Sequence, residues 1–483
     1  MGTAGTPDLP PVAELSADAV ADRFVAAREA QAIWRRYTLT QRVERLRSFW
    51  STLMADKERL AAVLHEETGK PIPEIETMEF GTASLIVKYF TRNAHRILQD
   101  QAVSKPWIFL NKRAYVRFAP RGVIGIITPW NLPFLIPAGD ALPALLAGNA
   151  VVLKPSEWTP RTALFIEDKF RTCGLFPEGL FQVATGGGPA GAAVTACADM
   201  VLFTGSVKTG RAVLKAAAER MVPVVLELGG KHSMLVAKDA PLARAVKAAV
   251  WGRFANCGQL CVGVERVFVE EPLYRTFCEA LIAETGRLRQ GISRGYDVDL
   301  GRLIFPGQLA VVERHLEDAK AKGARVIGGG VVDRSRLMVA PALVLDARAD
   351  MLVMKEETFG PVLAVAPVRR LEDAVRIAND GPHGLAASVW TRNLARGEAL
   401  GGMLEAGLLS VNDVLSHYAV TSLPFGGMKE SGLGRRHSEE GLRMFCHSQS
   451  VLVHEWPADQ PEPWWFPYDR LKTKVVGFLT RLA

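Results

Sequence analysis

The sequence is poor in cysteine and has no disulfide framework. Its six cysteines lie at positions 173, 197, 257, 261, 278 and 446 of 483 residues. Such a wide spread excludes the small disulfide-rich classes and favours free thiols in a reducing, cytoplasmic compartment. Cys257 and Cys261 form the one close pair, and no second pair of cysteines or histidines accompanies them. We therefore expect neither a zinc site nor another metal.

The sequence also lacks the patterns that send a chain to a membrane or across it. Its first residues have neither a basic start nor an apolar core, so they do not resemble a secretory leader. The longest apolar stretch, 122–153, contains four prolines and the charged residue Asp140. Because prolines and charges are unfavourable in a spanning helix, we interpret this stretch as buried strand, loop and helix.

Long blocks of one charge are missing as well. Lys and Arg number 58 and Asp and Glu 51, and the excess of +7 is scattered along the chain. A nucleic-acid partner is therefore not expected, whereas a small anionic cofactor would be well served. The length exceeds that of a single hydrophobic core, which predicts two or more domains.

What the sequence does contain is an alternation of short apolar runs and helical segments. Continuous apolar runs at 123–127, 151–154, 181–184, 200–203 and 224–228 are separated by helical patterns near 137–147, 159–173, 189–197 and 208–220. This alternation predicts an α/β domain, namely a doubly wound parallel sheet covered by helices on both faces. Ligands of such sheets bind at the carboxyl ends of the strands.

The flanking regions predict further units. Helices are expected over 19–37 and 39–67, and a hairpin over 102–118 with its turn at Asn111 and Lys112. A second α/β pattern follows residue 229, with a strand at 265–270, helices at 241–255, 272–289 and 307–322, and strands near 340–344, 362–366 and 386–390. The predicted domains are a dinucleotide-binding domain (1–101 and 119–228), a catalytic α/β domain (229–430), oligomerisation elements (102–118 and 431–456, with a strand at 448–454) and a carboxyl-terminal tail (457–483).

Three segments carry candidate catalytic residues. FANCGQLC (254–261) places Cys261 in a loop after an amphipathic helix, where a nucleophilic thiol needs exposure and nearby amides. VVLELGGK ends a strand on Glu227, and TPWNLPF holds Asn131 between two prolines. A strand-end carboxylate suits a general base, and a rigidly held amide suits an oxyanion. Singly, each has a simpler explanation: an inert thiol, a solvated charge and a turn residue.

Two further segments have the chemistry of a dinucleotide site. In VVLKPSE, Lys154 and Glu157 follow the second strand, where a doubly wound sheet contacts a ribose. In FTGSVKTG, Gly205 and Gly210 flank Ser206 at the start of a helix, which suits a pyrophosphate. The glycine spacing is neither G-x-G-x-x-G nor a phosphate-binding P-loop.

Taken together and in this order, the segments resemble the aldehyde dehydrogenase superfamily over about 15–453. EETFGPV and PFGGMKESGLGRR belong to the same resemblance. It implies Cys261 as nucleophile, Glu227 as the base of deacylation and Asn131 as the oxyanion donor. It also implies cofactor contacts from Thr128, Pro129, Trp130, Lys154, Ser156, Glu157, Gly205, Ser206, Gly210, Leu228, Gly229, Glu357 and Phe359.

The resemblance implies an oxidoreductase that converts an aldehyde to its carboxylic acid through a cysteine thioester, with NAD or NADP. Glu157 should repel a 2′-phosphate, so NAD is expected to be preferred. The alternatives are a CoA-acylating dehydrogenase, which would not need Glu227, and a catalytically inactive relative. The resemblance further implies a homodimer or homotetramer.

The sequence departs from the commonest family pattern at a few positions. Asp140 stands where many members carry a lysine, and Arg436 replaces a glutamate that often follows Gly-Arg. Leu260 before the nucleophile and His232 after ELGGK are also unusual. An apolar substrate channel, for an aliphatic or aromatic aldehyde, is expected from Phe134, Leu135, Gly139, Leu260, Val262 and Phe425.

The tail extends beyond the family's common core. Leu471, Val475, Phe478, Leu479 and Leu482 fall on one helical face, with Arg470, Lys472, Lys474 and Arg481 around it and Trp464 and Trp465 before it. We expect this helix to pack on the protein's own body, on a substrate entrance or on a second subunit. The alternative is a peripheral membrane contact through 464–482.

Overall fold

The computed structural model of the chain describes residues 9–456, 459 and 461–483. Its amino-terminal helices are α1 (Ala17–Trp34), α2 (Leu39–Ala55), α3 (Lys57–Thr68), α4 (Ile72–Glu74) and α5 (Thr82–Leu98). The prediction of one continuous helix over 39–67 was wrong. Asp56 has φ −100° and ψ 20°, so it ends α2 and separates it from α3.

A short hairpin follows these helices. Strand β1 (Gln101–Ala102) pairs antiparallel with β2 (Lys112–Pro120), and Ala102 lies opposite Tyr115. The predicted turn is misplaced, because Lys112 already belongs to β2 and residues 103–111 make the connection. The turn residues are therefore spread over a longer loop that contains a 3₁₀ turn at Trp107–Phe109.

The first sheet has the predicted doubly wound form. Its parallel strands are β3 (Val123–Ile127), β4 (Ala150–Lys154), β5 (Phe181–Val183), β6 (Met200–Thr204) and β7 (Val224–Glu227), in the order β7-β6-β3-β4-β5. The connecting helices are α6 (Leu135–Leu146), α7 (Pro160–Thr172), α8 (Gly188–Cys197) and α9 (Val207–Ala218). The chain leaves β3 toward β4 and returns to β6 on its other side, and a crevice opens at such a switch point.

A second α/β unit follows the first sheet. Its strands are β8 (His232–Val236), β9 (Val264–Glu270), β10 (Arg325–Gly328), β13 (Ala342–Leu345), β14 (Val362–Val368), β16 (Ala386–Trp390) and β17 (Leu408–Val411), in the order β10-β13-β14-β9-β8-β16-β17; β11 (Val331–Asp333), β12 (Met338–Val339) and β15 (His383–Gly384) lie outside this sheet. Its helices are α10 (Leu242–Phe254), α11 (Glu271–Thr285), α12 (Pro306–Ala321), α13 (Leu352–Lys355), α14 (Leu371–Asn379) and α15 (Leu394–Gly401). The predicted α/β fold class is confirmed.

The carboxyl-terminal segment divides between the sheets. Its elements are β18 (Met428–Lys429), β19 (Gly432–Leu433), α16 (Glu440–Arg443), β20 (Cys446–His454) and α17 (Arg470–Leu482). The predicted oligomerisation element 431–456 is therefore not one unit. Its start, β19, pairs with β7 of the first sheet, whereas β20 pairs with β2 along its whole length. Within the described part of the chain, no helix has the length and apolar character that crossing a bilayer requires.

Candidate active site

A cavity of about 770 Å³ opens at the carboxyl ends of β3, β4, β6 and β7, facing the second α/β unit. Residues that follow these strands line one wall, and loops of the second unit line the other. The lining includes Thr128, Pro129, Trp130, Asn131, Lys154, Ser156, Glu157, Gly205, Ser206, Glu227, Leu228, Gly229, Cys261, Glu357 and Phe359. The three predicted catalytic side chains therefore share one cavity with nearly all predicted cofactor contacts.

The loop that carries Cys261 is held in an unusual backbone conformation. Asn256 and Cys257 have positive φ values of 52° and 54°, which are uncommon for residues with side chains. The main-chain N–H of Asn256 donates to Oε1 of Glu74 at 2.7 Å. The Gln259 amide donates to the Asn256 oxygen at 2.9 Å and accepts from the Ile304 N–H at 2.8 Å. These bonds stabilise the loop and fix where Cys261 stands, only partly buried.

Asn131 is bonded directly to the same loop. Its Nδ2 donates to the main-chain oxygen of Gln259 at 2.9 Å, and its own main-chain oxygen accepts from Nδ2 of Asn256 at 3.0 Å. A side-chain amide has two N–H donors, so one remains for an oxyanion. Because the other is bonded to the Gln259 oxygen, the Asn131 side chain is restrained beside the loop that carries Cys261.

Glu79 anchors the loop that follows Asn131 by accepting a hydrogen bond from its main chain. Its carboxylate accepts from the main-chain N–H of Leu135 at 2.7 Å, at the start of α6, and forms a buried ion pair with Lys70. A carboxylate at a helix N-terminus satisfies N–H groups that have no partner within the helix. The rigidity that the sequence attributed to two prolines therefore also depends on this buried ion pair.

Glu227 is the most isolated polar group of the site. Only 3% of the residue is exposed, and neither carboxylate oxygen has a hydrogen-bond partner among the described residues. Burial raises the pKa of Glu227 to about 8, which Asp140 reinforces and Arg436 opposes. A carboxylate with a pKa near neutrality and free lone pairs suits a general base.

The Cys261 thiol is protonated at neutral pH in this environment. Burial raises its pKa to about 12, and the carboxylates of Glu357 and Glu227 add to the effect. Arg436 and the main-chain N–H of Val262 act in the opposite direction. Because the thiolate is the nucleophilic form of cysteine, chemistry at this thiol requires that its proton is removed first.

A buried ion network positions the opposite wall of the cavity. Glu265 pairs with Lys231 at 2.5 Å and with Arg253 at 2.7 Å. The same carboxylate accepts from the main-chain N–H of Phe359 at 3.0 Å. This contact holds Phe359, whose φ is 48°, in a conformation that side chains rarely adopt. The network therefore places the aromatic ring on the cavity wall.

Glu357 lies against the glycine pair that follows Glu227. Its Oε1 accepts from the main-chain N–H of Gly230 at 2.9 Å. A Cβ on Gly229 would lie 2.4 Å from Oε2 of Glu357, so a larger residue here would displace the end of the Glu357 side chain. Burial raises the pKa of Glu357 to about 7, with a contribution from Glu265.

The rest of the cavity fits a dinucleotide. At its far end, Gly191, Thr195, Ala212, Val213 and Ala216 line a mainly apolar slot between α8 and α9. Lys154 and Glu157 lie beside it with Nζ and Oε2 3.3 Å apart. Ser206 caps α9 by accepting from the Thr209 N–H at 3.3 Å, so the positive end of this helix faces the cavity. The cavity therefore offers an apolar slot for a base, polar side chains for a ribose and a helix N-terminus for phosphates.

The model of one protein family, described as the aldehyde dehydrogenase family, matches residues 9–451 of this chain. The chain belongs to the aldehyde dehydrogenase family. Membership makes the protein an oxidoreductase that acts on aldehydes, and it confirms the resemblance that the motifs indicated.

Individual relatives of this aldehyde dehydrogenase agree in length and in fold. The 4,4'-diapolycopene aldehyde oxidase of Methylomonas sp is 40% identical over 451 residues, which are 93% of this chain and 84% of that relative. A putative succinate-semialdehyde dehydrogenase [NADP(+)] of Mycobacterium ulcerans is 36% identical over 91% of this chain and 85% of its own. The crystal structure of a Mycobacterium tuberculosis aldehyde dehydrogenase complexed with NAD+ superposes with a TM-score of 0.87 at 32% identity, covering 93% of this chain and 92% of that one.

Gly210 is the predicted cofactor residue that does not line the cavity. It lies inside α9, where its N–H bonds to the Ser206 oxygen at 2.9 Å. A Cβ at this position would lie 2.6 Å from Cδ2 of Leu228. Gly210 therefore allows α9 to pack closely on the residue after Glu227, and its contribution to the dehydrogenase site is indirect.

None of the predicted channel residues lines this cavity, as Phe134, Leu135, Gly139, Leu260, Val262 and Phe425 all lie elsewhere. Phe134 is a core residue that packs edge-on against Phe80, with ring centroids 5.1 Å apart. Gly139 is half-buried, and a Cβ there would lie 3.4 Å from Cδ1 of Ile86 on α5. The predicted substrate channel is a separate feature from this cavity and stays a prediction.

The sequence missed part of the cofactor wall. Phe305, Gln308, Val311 and Arg314 come to the cavity from the start of α12, and Trp158 and the glycines Gly187 and Gly188 complete it. Phe305 packs against Trp158 at 5.3 Å and Trp130 at 6.1 Å between ring centroids. The run of glycines at 186–188 before a helix was the one signal in the sequence that could have indicated this surface.

Proposed function

We propose that this protein oxidises an aldehyde to its carboxylic acid through a thioester on Cys261, with a nicotinamide cofactor. One observation carries the proposal. A thiol, an unpartnered buried carboxyl group and an anchored amide, from Cys261, Glu227 and Asn131, line the same cavity as a cradle that fits a dinucleotide. Each group alone has a structural explanation, but their convergence in one cavity does not.

In the first half of the reaction, the Cys261 thiolate attacks the aldehyde carbon and a C–S bond forms. The carbonyl oxygen becomes an oxyanion, and the free N–H of Asn131 donates to it. A nicotinamide cofactor, when bound, would supply the acceptor for the hydride of this carbon, and collapse of the oxyanion to a carbonyl leaves a thioester on Cys261. Glu357, Phe359 and Gly229 are the residues that would hold its reactive end beside Cys261.

In the second half, water hydrolyses the thioester. Glu227 takes a proton from the water, whose oxygen attacks the acyl carbon; the C–S bond breaks and the acid leaves. The thiol is regenerated when sulfur recovers a proton. An acyl enzyme that passes its acyl group to CoA would not need a carboxylate at 227, so the position of Glu227 supports hydrolysis.

For the cofactor we propose NAD in preference to NADP. Glu157 lines the cavity beside Lys154, about a third of its side chain is exposed at 34%, and the Lys154 ammonium balances its charge only in part. A 2′-phosphate on the ribose would meet this carboxylate at short range and be repelled. Glu157 can instead accept hydrogen bonds from the two ribose hydroxyls.

For the substrate we propose an apolar aliphatic or aromatic aldehyde. Arg436 is the cation that acts on the Cys261 thiol, and Asp140 already neutralises it. A substrate with a second carboxylate would therefore gain little near the nucleophile. The small Gly139 beside Ile86 leaves space between α5 and α6. The carotenoid-aldehyde name of the Methylomonas relative agrees with a long apolar substrate.

We also propose a homodimer or homotetramer that uses the sheet of β1, β2 and β20. Among the described residues, β20 pairs with β2 on one side, and the other edge of its nine residues has no partner there. An open edge of that length favours pairing with a second copy. We expect the mass measured by light scattering to be two or four times that of the chain.

Finally, we propose a peripheral contact of the tail with the cytoplasmic face of a membrane. Leu471, Val475, Phe478 and Leu482 form one face of α17 and are 73%, 47%, 62% and 61% exposed. A long hydrogen bond joins α17 to the rest of the protein, in which Nε1 of Trp107 donates to the main-chain oxygen of Leu482 at 3.4 Å. Leu479 on the same face is half-buried, so the protein's own body covers this face only in part. Arg470, Lys472, Lys474 and Arg481 flank this face and suit anionic lipid headgroups.

The proposed reaction is tested with a panel of aldehydes, NAD and a readout at the NADH absorbance. We expect turnover of apolar aldehydes, its complete loss in Cys261→Ser, and retention in Cys173→Ser, a matched thiol outside the cavity. Undiminished NADH formation by Cys261→Ser contradicts the proposal. A parallel reaction with CoA should give the free acid; an acyl-CoA product would identify an acylating enzyme instead.

A further inference from the structure

Behind Glu227, two buried residues of opposite charge meet. Asp140 lies on α6 and Arg436 follows β19, and Nη2 of Arg436 approaches Oδ2 of Asp140 to 2.8 Å. Their exposures are 3% and 4%. These are two of the positions at which the sequence departs from the common family pattern of a lysine and a glutamate. In this protein the two side chains form a buried pair of opposite charge.

Arg436 is placed beside Glu227 without being bonded to it. Its guanidinium donates to the hydroxyl of Thr204, and Thr204 lies opposite Glu227 in the register of β6 and β7. The Glu227 oxygens nevertheless have no hydrogen-bond partner among the described residues. Thr204 and Asp140 therefore hold the Arg436 guanidinium close to the Glu227 carboxylate without a hydrogen bond between the two.

The distinction matters for a general base. A carboxylate that deprotonates water needs a free lone pair and enough basicity to take the proton. A direct guanidinium–carboxylate pair would occupy the lone pairs and lower the pKa of the carboxylate. A cation that is near the carboxylate but not bonded to it instead stabilises the ionised carboxylate moderately and leaves its oxygens accessible to water.

Other titratable groups also face Glu227. Arg435 comes from the same segment as Arg436, but its Nη1 donates to the main-chain oxygens of Gly427 and Gly434. Cys261 faces it from the nucleophile loop and Tyr418 from the 3₁₀ turn Ser416–Tyr418; burial raises the pKa of both, so both are neutral.

Two more groups complete these surroundings. His437, beside Arg436, is also neutral, because burial lowers its pKa to about 3. Glu357 acts on Cys261 from across the cavity. Arg436 and Asp140 are thus the charged groups that change the pKa of Glu227 most.

We infer that Asp140 is a positioning residue, which restrains Arg436 and so keeps Glu227 free to activate the deacylating water. The inference rests on the proposed role of Glu227 as base. Without Asp140, the carboxylate that acts most strongly on the buried guanidinium is Glu227, and an unpaired buried charge is strongly driven to find a partner. Glu227 would then form an ion pair with Arg436 and could no longer act as the base.

The test follows the decay of an acetyl enzyme formed without cofactor. Cys261 attacks p-nitrophenyl acetate, a C–S bond forms, the ester C–O bond breaks and p-nitrophenolate leaves. Water then cleaves the C–S bond and releases acetate. Intact-protein mass spectrometry follows the loss of the acetyl group across the pH range from weakly acidic to alkaline.

Asp140→Asn should slow this decay at neutral pH about tenfold or more and move its inflection to lower pH. Adding Arg436→Met to that variant removes the competing cation and should restore decay to within about threefold of wild type. Arg436→Lys should keep the wild-type profile. Arg443→Met is the matched control, since Arg443 pairs with Glu439 on the outside of the same segment at 3.0 Å.

A double variant no faster than Asp140→Asn overturns the inference, because a purely structural pair gives no rescue. If Asp140→Asn does not fold, Arg436→Met alone decides. Its inflection should move to higher pH while its rate above the inflection stays within about threefold of wild type, and a lower plateau contradicts the inference. Failure of the wild-type protein to become acetylated at Cys261 contradicts the proposed function instead.

Discussion

The side-chain amide of Asn131 is hydrogen-bonded to the main-chain oxygen of Gln259 at 2.9 Å, which ties the proposed oxyanion donor to the loop of the nucleophile. Asn131→Ala removes both the donor and this tether. We expect kcat for aldehyde oxidation to fall about a hundredfold to a thousandfold with a smaller change in KM. Asn93→Ala is the control, since the Asn93 amide bonds only within α5, to the Tyr89 oxygen at 2.9 Å. An unchanged kcat in Asn131→Ala would remove Asn131 from the mechanism.

The raised pKa of Glu227 also predicts a stability effect. The pKa of an ordinary unfolded glutamate is about 4.5 and that of Glu227 is about 8. The folded state therefore binds a proton that the unfolded state loses first, so this stabilisation is complete at acidic pH and declines as pH rises toward 8. Glu227→Gln cannot ionise, so its free energy of unfolding should decline less over this interval. If the Tm values of the two proteins change with pH in parallel, the pKa of Glu227 is not raised in the folded state.

Glu157 should control the choice between NAD and NADP. Glu157→Gln removes the negative charge but keeps the size of the side chain. We expect the ratio of kcat/KM for NADP to that for NAD to rise about tenfold, because repulsion of the 2′-phosphate is relieved. Glu219→Gln, at the exposed end of α9, removes a charge outside the cavity and should leave the ratio unchanged. A wild-type enzyme that prefers NADP would refute the proposed preference at once.

The tail should bind anionic vesicles. We expect the full chain to co-sediment with vesicles of phosphatidylglycerol and phosphatidylcholine, and a chain ending at Glu455 to remain in the supernatant. Phe478→Asp should weaken binding by disrupting the apolar face, and added salt should weaken it by screening Arg470, Lys472 and Lys474. If the truncated chain binds equally well, or if truncation changes the oligomeric mass instead, the face belongs to another contact.

The parts of this protein that could be predicted from sequence depend on local patterns. The buried strands β3 to β7 are continuous apolar runs, and all but β5 end on or next to a polar residue of the site, such as Lys154 at the end of β4. Cys261, Glu227 and Asn131 are likewise predictable because each follows a strand or helix in a short, unusual segment. Their convergence follows from the rule that parallel strands of a sheet direct their carboxyl ends to one edge.

The parts that could not be predicted depend on contacts between distant segments. No local pattern indicates that Asp140 meets Arg436 or that Glu265 supports Phe359, because each pair is brought together only by the packing of separate elements. The substrate channel stays a prediction for a related reason: Phe134 and Leu260 are apolar and buried, and the sequence does not distinguish a core position from a channel wall.

The central claim, that Cys261 forms the thioester and Glu227 resolves it, is tested most directly by trapping. Glu227→Gln mixed with NAD and an apolar aldehyde should give one rapid burst of NADH per active site, followed by a steady rate at least about a hundredfold below wild type. Intact mass and peptide mapping should then find the acyl group on Cys261. An acyl group on another residue, or full steady turnover by Glu227→Gln with no acyl enzyme, would contradict the account.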